Sequence, residues 1–269
     1  MLGISTTNLR VNGFRGKGLS TEAQAWRTNI IANGGTIPDA TLLIFDNYFF
    51  KPAKANGNIL SELDRLNIYC GLVGYEIAAR TNVIKAAHYV TPVSSPTFDN
   101  NGYKSSGTSY LDLNYNPNTQ GVKYTLNSAL IGYGVKNANW SSQKRAIGCS
   151  DGVSIRADLQ RSAVGSGCFI NSIGDVLRSG SPSGNAFIAA QRTASNAINA
   201  IINTTETTDT DVSVSIPNFN AYELCLNLGG TPLSPFDDSS HLYSFHGSGN
   251  CDYAALRTII NNTLAALGV

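Results

Sequence analysis

The chain has 269 residues, enough for one large β domain or for such a domain with a small addition, since single β domains often reach about 200–250 residues. Only 14% of the residues are charged, the formal net charge is +1, and basic residues form no cluster beyond Lys144 and Arg145. Nucleic acid and anionic membranes attract concentrated positive charge, so the composition argues against both as partners.

The N-terminal part predicts an arm followed by two helices. Residues 1–18 are rich in glycine and small polar residues without periodicity, which favours an arm that docks on a partner. Apolar residues at helical spacing predict a helix over 19–33, with Ser20 or Thr21 as its N-cap. A second helical stretch is expected from Pro38 towards Gly57.

These two helices carry a dense aromatic stripe, formed by Trp26, Phe45, Phe49 and Phe50. Burying each large side chain is worth about 1.5–3 kcal/mol, so the stripe must pack on the rest of the chain or on another chain. We predict the second outcome, an assembly anchor that joins the subunit to its neighbours.

The stretch TPVSSPT at 91–97 holds two prolines and predicts a linker. We therefore divide the chain into an arm (1–18), a helical anchoring region (19–97) and a β-sandwich (98–269). Within the second part, Leu63–Gly74 predicts a buried strand or a short helix.

Alternating apolar and polar residues dominate 101–137, interrupted by an Asn-Pro-Asn turn, and this period of two is typical of antiparallel strands with one buried face. Short strand candidates follow up to Asn227, including Asp211–Ile216, with Gly, Ser and Asn between them. The polar stretch 203–210 predicts a hairpin tip or an edge strand. Together they predict an antiparallel sandwich with Greek-key or jelly-roll connections, sealed by a C-terminal helix over 252–267.

Two stretches resemble a known family. Residues 101–137 and the closing stretch from Tyr243 to Gly268 resemble the laminin-G-like, concanavalin-A-like jelly rolls of virion proteins in tailed phages infecting Bacteroidetes, such as crAss-like or flavobacterial phages. The resemblance covers about residues 65 to 269. It implies a jelly-roll fold and a structural role in a virion, made in the host cytoplasm, with other virion proteins and copies of itself as partners.

Trp140 lies among polar residues between two strand candidates. In one interpretation, Trp140 covers an edge of the core or stacks within its own loop. In the other it is an exposed platform for a host glycan, because sugar sites often combine aromatic faces with amides.

Five cysteines lie far apart without a Cys-x-x-Cys pair, which predicts free and mostly buried thiols and argues against zinc. The start of the chain lacks a basic segment followed by an apolar core, so no export signal is expected.

Catalytic chemistry finds little support in the sequence. Glycoside hydrolysis needs two carboxylates about 5–9.5 Å apart, and none of the five glutamates forms a Glu-x-Asp-x-Glu pattern. Asp209 and Asp211 predict a solvated edge strand. Calcium binding by these two residues is the alternative, and a calcium-binding loop is also an alternative to a turn at Asp237-Asp238. His88, His241 and His246 are expected to be structural.

The sequence therefore predicts a phage virion structural protein, namely a head or tail decoration, fibre or adaptor subunit that forms a homo-oligomer. The alternative is a lectin-like module for host attachment. We predict no enzyme activity and no cofactor, with calcium kept as the alternative.

Overall fold

A computed structural model describes residues 18–138, 143–152, 155–162, 165–173, 177–179, 184–237 and 239–269. In these residues the chain is mainly β, and its strands form two curled sheets that pack as a sandwich. The predicted mainly β sandwich with helices near both ends is confirmed to that extent. Residues 1–17 of the predicted arm lie outside the described part.

The helices frame the sandwich. They are α1 (Thr21–Ala32), α2 (Asp39–Phe45), α3 (Lys51–Ala55), α4 (Glu76–Arg80), α5 (Pro117–Gln120) and α6 (Tyr253–Leu267). A π-helical turn, Asp46–Phe50, joins α2 directly to α3, and a 3₁₀ turn follows at Ile59–Glu62. None of these described helices has both the length and the hydropathy that crossing a bilayer requires.

Local capping explains where the two longest helices begin. The Ser20 hydroxyl accepts a hydrogen bond from the Ala23 backbone N–H at 3.3 Å, as the sequence predicts for α1. The Asp252 carboxylate accepts from the Ala255 N–H at 2.9 Å at the start of α6. This helix ends at Gly268, whose φ of 78° is the left-handed conformation that glycine adopts without strain.

The strands are β1 (Leu63–Ile68), β2 (Thr91–Val93), β3 (Thr97–Asp99), β4 (Gly102–Lys104), β5 (Tyr110–Asp112), β6 (Ala129–Ala138), β7 (Lys144–Ser150), β8 (Arg156–Ser162), β9 (Gly165–Ser172), β10 (Leu177–Ser179), β11 (Gly184–Ala194), β12 (Ala197–Ile202), β13 (Thr205–Asp209), β14 (Tyr222–Glu223), β15 (Leu226–Leu228), β16 (Thr231–Leu233) and β17 (Ser240–Gly247).

The first sheet runs in the order β13-β12-β11-β6-β17-β4-β3, and β1 pairs with β17 beside β4. The second sheet runs β10-β9-β8-β7-β14-β5-β2, with β15 pairing in parallel to β7 and β16 pairing to β15. Strand β1 thus belongs to the sandwich, although it lies in the region predicted as a helical anchor.

The antiparallel pair β6–β17 lies at the centre of the first sheet, and its close packing depends on two glycines. Gly132 lies opposite Phe245 and Gly134 opposite Tyr243. A Cβ atom added to Gly132 would lie 2.1 Å from the Phe245 ring, and one on Gly134 would lie 2.2 Å from the Tyr243 ring. The missing side chains leave the space that these two aromatic rings fill.

The aromatic stripe of the N-terminal helices is buried inside the chain itself. The Trp26 ring centroid lies 4.6 Å from that of Phe45 and 6.0 Å from that of Phe50, and α6 contacts α2, α3 and the π-helical turn. Each of the four aromatic side chains is at most 1% exposed. The predicted anchor at Trp26, Phe45, Phe49 and Phe50 is therefore wrong, because these side chains form core contacts and offer no surface to a partner.

Further local predictions can be compared with the elements. The polar stretch 203–210 forms the β12–β13 turn and edge strand, as predicted. Residues 211–216 form no strand. They are held by single backbone hydrogen bonds, such as Val214 N–H to the Asn171 carbonyl at 2.7 Å. All five cysteines are free and buried, which confirms the prediction.

Candidate functional site

The densest group of polar side chains lies between the two sheets. We call it the inter-sheet polar cluster, and it consists of Arg65, Asn67, Tyr69, Glu223, His241, Ser244 and His246. Glu223 comes from β14 in the second sheet. The other six residues are on the side of the first sheet. Arg65 and Asn67 lie on β1, and Tyr69 immediately follows it. The remaining three, His241, Ser244 and His246, lie on β17. The cluster therefore joins the two layers through side-chain hydrogen bonds.

The Glu223 carboxylate is the centre of this cluster. One oxygen accepts from His241 Nδ1 at 2.8 Å, and the other accepts from the Tyr69 hydroxyl at 2.6 Å and the Ser244 hydroxyl at 2.5 Å. Burial by itself opposes ionisation, but the hydrogen bonds from His241 and Ser244 and the charges of His241 and Arg65 outweigh it, so the pKa of Glu223 is lowered. The carboxylate is thus ionised at neutral pH.

The Arg65 guanidinium supplies the positive charge of the cluster. Its Nη2 donates to Asn67 Oδ1 and to the Ser244 hydroxyl, both at 2.9 Å, and its Nη1 donates to His246 Nδ1 at 3.1 Å. Because a guanidinium only donates, His246 Nδ1 must be the acceptor. Burial first, and then the nearby Arg65 charge, lower the pKa of His246 well below its usual value, so this imidazole is neutral.

The whole cluster is enclosed. Each of its seven side chains belongs to a residue that is at most 1% exposed. His241 also stacks on Tyr133, with ring centroids 4.7 Å apart, and its Nε2 has no hydrogen-bond partner among the described residues. In this conformation the cluster connects the two sheets and does not contact solvent. Its opposite charges pair with each other, so its role is structural.

A second polar group, which is partly exposed, lies on the outer face of the second sheet. Leu111 is fully buried, so the alternation of β5 directs its neighbours Tyr110 and Asp112 to the opposite face. Tyr110 stacks on Tyr222 with ring centroids 4.5 Å apart, and the Asn220 amide donates to the Asp112 carboxylate at 3.2 Å. Burial, reinforced by Tyr110, raises the pKa of Tyr222 to about 12. We call these four residues the tyrosine face; they combine an aromatic surface with an amide and a carboxylate.

The structure separates the residues named from the sequence. Trp140 and Asp238 lie outside the described residues, so their predicted roles stay predictions. Glu206 and Asp209 are exposed on edge strand β13, whereas Asp211 lies 3.9 Å from the Arg192 guanidinium. Within the described part of the chain, no three His, Cys, Asp or Glu side chains come together as metal ligands.

The three histidines have structural surroundings, as predicted. His88 Nδ1 lies 2.9 Å from the Asn114 carbonyl oxygen, and His241 and His246 belong to the inter-sheet polar cluster. No sequence pattern predicts Glu223 or Arg65 as members of a site. The available signal was a single carboxylate inside the apolar strand candidate at 222–227, where a charge needs partners.

Comparison with known proteins gives similarity of fold. No protein-family model matches the sequence, and no curated protein matches it either. Trypanosoma rangeli sialidase is similar with a TM-score of 0.51 at 10% identity, over 84% of this chain and 39% of the sialidase. A mutant of that sialidase displaying trans-sialidase activity gives 0.51 at 9% identity, over 83% and 39%. The chain thus spans about two fifths of the length of these sialidases.

A shorter similarity is found with the CBM40 of Ruminococcus gnavus IT-sialidase bound to alpha2,6 sialyllactose. Its TM-score is 0.43 at 13% identity, over 58% of this chain and 95% of that one. A similarity this low carries no argument about the present chain.

The prediction that the chain is not an enzyme is contradicted by the likeness to sialidases. That prediction depended on the lack of a Glu-x-Asp-x-Glu pattern, and a fold shared with part of an enzyme removes the basis for excluding catalysis on pattern alone. At about 10% identity the likeness concerns the fold and assigns no reaction.

Proposed function

We propose that the chain is a structural subunit of a phage virion, a head or tail decoration, fibre or adaptor, with a concanavalin-A-like or laminin-G-like jelly roll as its body. The observation that carries the proposal is the family resemblance of residues 101–137 and 243–268. These stretches supply β4, β6 and most of β17 in the first sheet, β5 in the second sheet, and the helix α6. The resemblance therefore includes strands of both sheets, which supports the proposal.

In this proposal the subunit is made in the host cytoplasm and works by contacts with other virion proteins, including copies of itself. Segment 210–218, which belongs to no helix or strand, suits such a contact. Val212 and Val214 in it are 58% and 48% exposed, next to the polar edge strand β13. With a formal net charge of +1, two copies repel each other little, which favours a second copy as the occupant of this segment.

Light-scattering measurement of the mass in solution tests the proposal. We expect an oligomer, and we expect Val212→Ser combined with Val214→Ser to shift the equilibrium towards the monomer. Val73→Ser removes an equally exposed valine from a different loop and serves as the matched control. A wild-type protein that stays monomeric at high concentration would contradict the proposed assembly.

A second candidate function is glycan binding, and the tyrosine face favours it. Sugar rings bind to aromatic surfaces, while amides and carboxylates form hydrogen bonds with their hydroxyls. In a screen against host surface glycans, Tyr110→Ala should lose binding, and Tyr48→Ala, which changes an exposed tyrosine in the N-terminal helical region, should retain it. Equal binding by both variants would exclude the tyrosine face as the site.

A further inference from the structure

A groove lies on the side of the first sheet that α6 covers. Its volume is about 270 Å³. Buried residues that include Phe187, Tyr243 and Leu264 form its floor, and three exposed asparagines, Asn185, Asn203 and Asn261, form its rim. We call it the asparagine groove. It lies on a different sheet from the tyrosine face and is independent of both proposed functions.

Two of the rim amides are held in place by their own hydrogen bonds. Asn203 Oδ1 accepts from the Phe187 backbone N–H at 2.9 Å, and Asn185 Oδ1 accepts from the Asn137 N–H at 3.2 Å. Each bond uses the amide oxygen and orients the side chain. The NH₂ groups of both amides have no partner among the described residues, so they are preorganised donors at the rim.

The Tyr243 hydroxyl adds a polar atom to the floor. The residue is only 2% exposed, and its ring is held against Gly134. Burial raises the pKa of Tyr243, so the group remains a neutral O–H at all ordinary pH values. A tyrosine hydroxyl both donates and accepts hydrogen bonds, so it can bind a ligand hydroxyl in the groove.

The charges around the groove limit the ligand. No charged side chain is among the described residues that line it. The nearby Arg257 is already engaged, because its guanidinium donates to the Asn203 carbonyl and lies over the Phe187 ring at 6.0 Å. An anionic ligand would therefore find no free counter-charge in the groove.

We propose that the asparagine groove binds one ring of a neutral carbohydrate. Amide NH₂ donors and a tyrosine hydroxyl above apolar side chains match the alternating hydroxyl and C–H surfaces of a sugar. The volume is just below the range of about 300–1,000 Å³ that accommodates drug-sized ligands, so a single ring fits better than an oligosaccharide.

Isothermal titration of the full chain with the methyl glycosides of glucose, galactose, mannose and N-acetylglucosamine tests the proposal. We expect binding of at least one of them. Tyr243→Phe removes only the hydroxyl. Asn261→Ala removes a rim amide and places a residue of higher helix propensity in α6. Each should weaken binding by about two- to twelve-fold, the value of one hydrogen bond. Asn262→Ala, the exposed neighbour outside the groove, is the matched control and should bind like the wild type.

Three results would overturn the proposal. The first is a wild-type protein that binds none of the four glycosides, and the second is one that binds glucuronic acid in preference to them. The third is undiminished affinity in both Tyr243→Phe and Asn261→Ala. If Tyr110→Ala alone abolishes sugar binding, the groove is excluded while the tyrosine face remains as the glycan site. Circular dichroism of each variant checks that the fold is retained.

Discussion

Glu223 and Asp158 are two fully buried carboxylates of the second sheet with opposite electrostatic surroundings. Glu223 accepts three hydrogen bonds, and its pKa is lowered. Asp158 has an ion pair with Arg145 at 2.7 Å, and its second oxygen has no partner among the described residues. Burial raises the pKa of Asp158, and the charges of Arg145 and Arg156 oppose this shift without overcoming it.

The difference shows that burial does not by itself decide the charge of a carboxylate in this fold. The number and direction of the donors decide it, since each hydrogen bond to the ionised form favours that form. The ionised form of Glu223 should therefore stabilise the fold, whereas ionisation of Asp158 should lower the free energy of unfolding.

The largest expected effect comes from Glu223→Gln. Glutamine removes the negative charge opposite the buried Arg65 and replaces one acceptor oxygen by a donor facing other donors. We expect a loss of about 3–5 kcal/mol in the free energy of unfolding, typical of a buried charge left without its partner. Urea denaturation at pH 7 measures it. Glu206→Gln on the exposed edge strand is the control and should change stability by less than about 0.5 kcal/mol. A similar loss in both variants would exclude the role assigned to the cluster.

The pH dependence of the same pair sharpens the comparison. The folded-state pKa of Glu223 is below its unfolded value, so its contribution is present above the unfolded pKa and is lost as pH falls through the folded pKa. We expect the gap in stability between the wild type and Glu223→Gln to narrow in acid. Denaturation curves from pH 7 down to pH 3 measure this, and a constant gap would contradict it.

Tyr69→Phe should have an intermediate effect. It removes one donor from Glu223 and keeps the ring, so we expect a loss of about 1–3 kcal/mol. Thermal and urea unfolding measure it against Tyr48→Phe, where an exposed hydroxyl is removed and stability should stay within about 0.5 kcal/mol. If both substitutions proved neutral, the Tyr69 hydroxyl would have no structural importance.

Asp158→Asn should have the smallest effect. The folded-state pKa is raised, so the stability linked to Asp158 is fully present below its unfolded pKa and is lost as pH rises through the folded pKa. The neutral amide still accepts from Arg145, and we expect a change of at most about 1 kcal/mol at pH 7. A loss as large as that of Glu223→Gln in the same urea assay would remove the contrast between the two sites.

Much of the fold could be predicted from sequence because its signals are local. The period of two in 129–135 and the caps at Ser20 and Asp252 are each contained in a few residues. Segment 211–216 shows the limit of such signals, since its alternation matches a strand but its backbone pairs with no neighbouring ladder.

The candidate sites could not be predicted in the same way, because distant stretches build them. Tyr69 and Glu223 are 154 positions apart, and the stacked Tyr110 and Tyr222 come from different ends of the sandwich sequence. For the same reason, the sequence wrongly predicts that the aromatic stripe of the N-terminal helices packs on a partner chain. Its packing partner α6 is at the other end of the chain, and no local pattern reveals it.

The hydrogen bond between Arg65 and His246 spans 181 positions. A ribosome must therefore synthesise the chain through residue 247 before β17 can pair with β1 and the side chains of the two sheets can pack. Long-range pairings of this kind slow folding. Until then Arg65 lacks its partners on β17 and the first sheet is incomplete, so the sandwich is expected to form only after β17 has been synthesised.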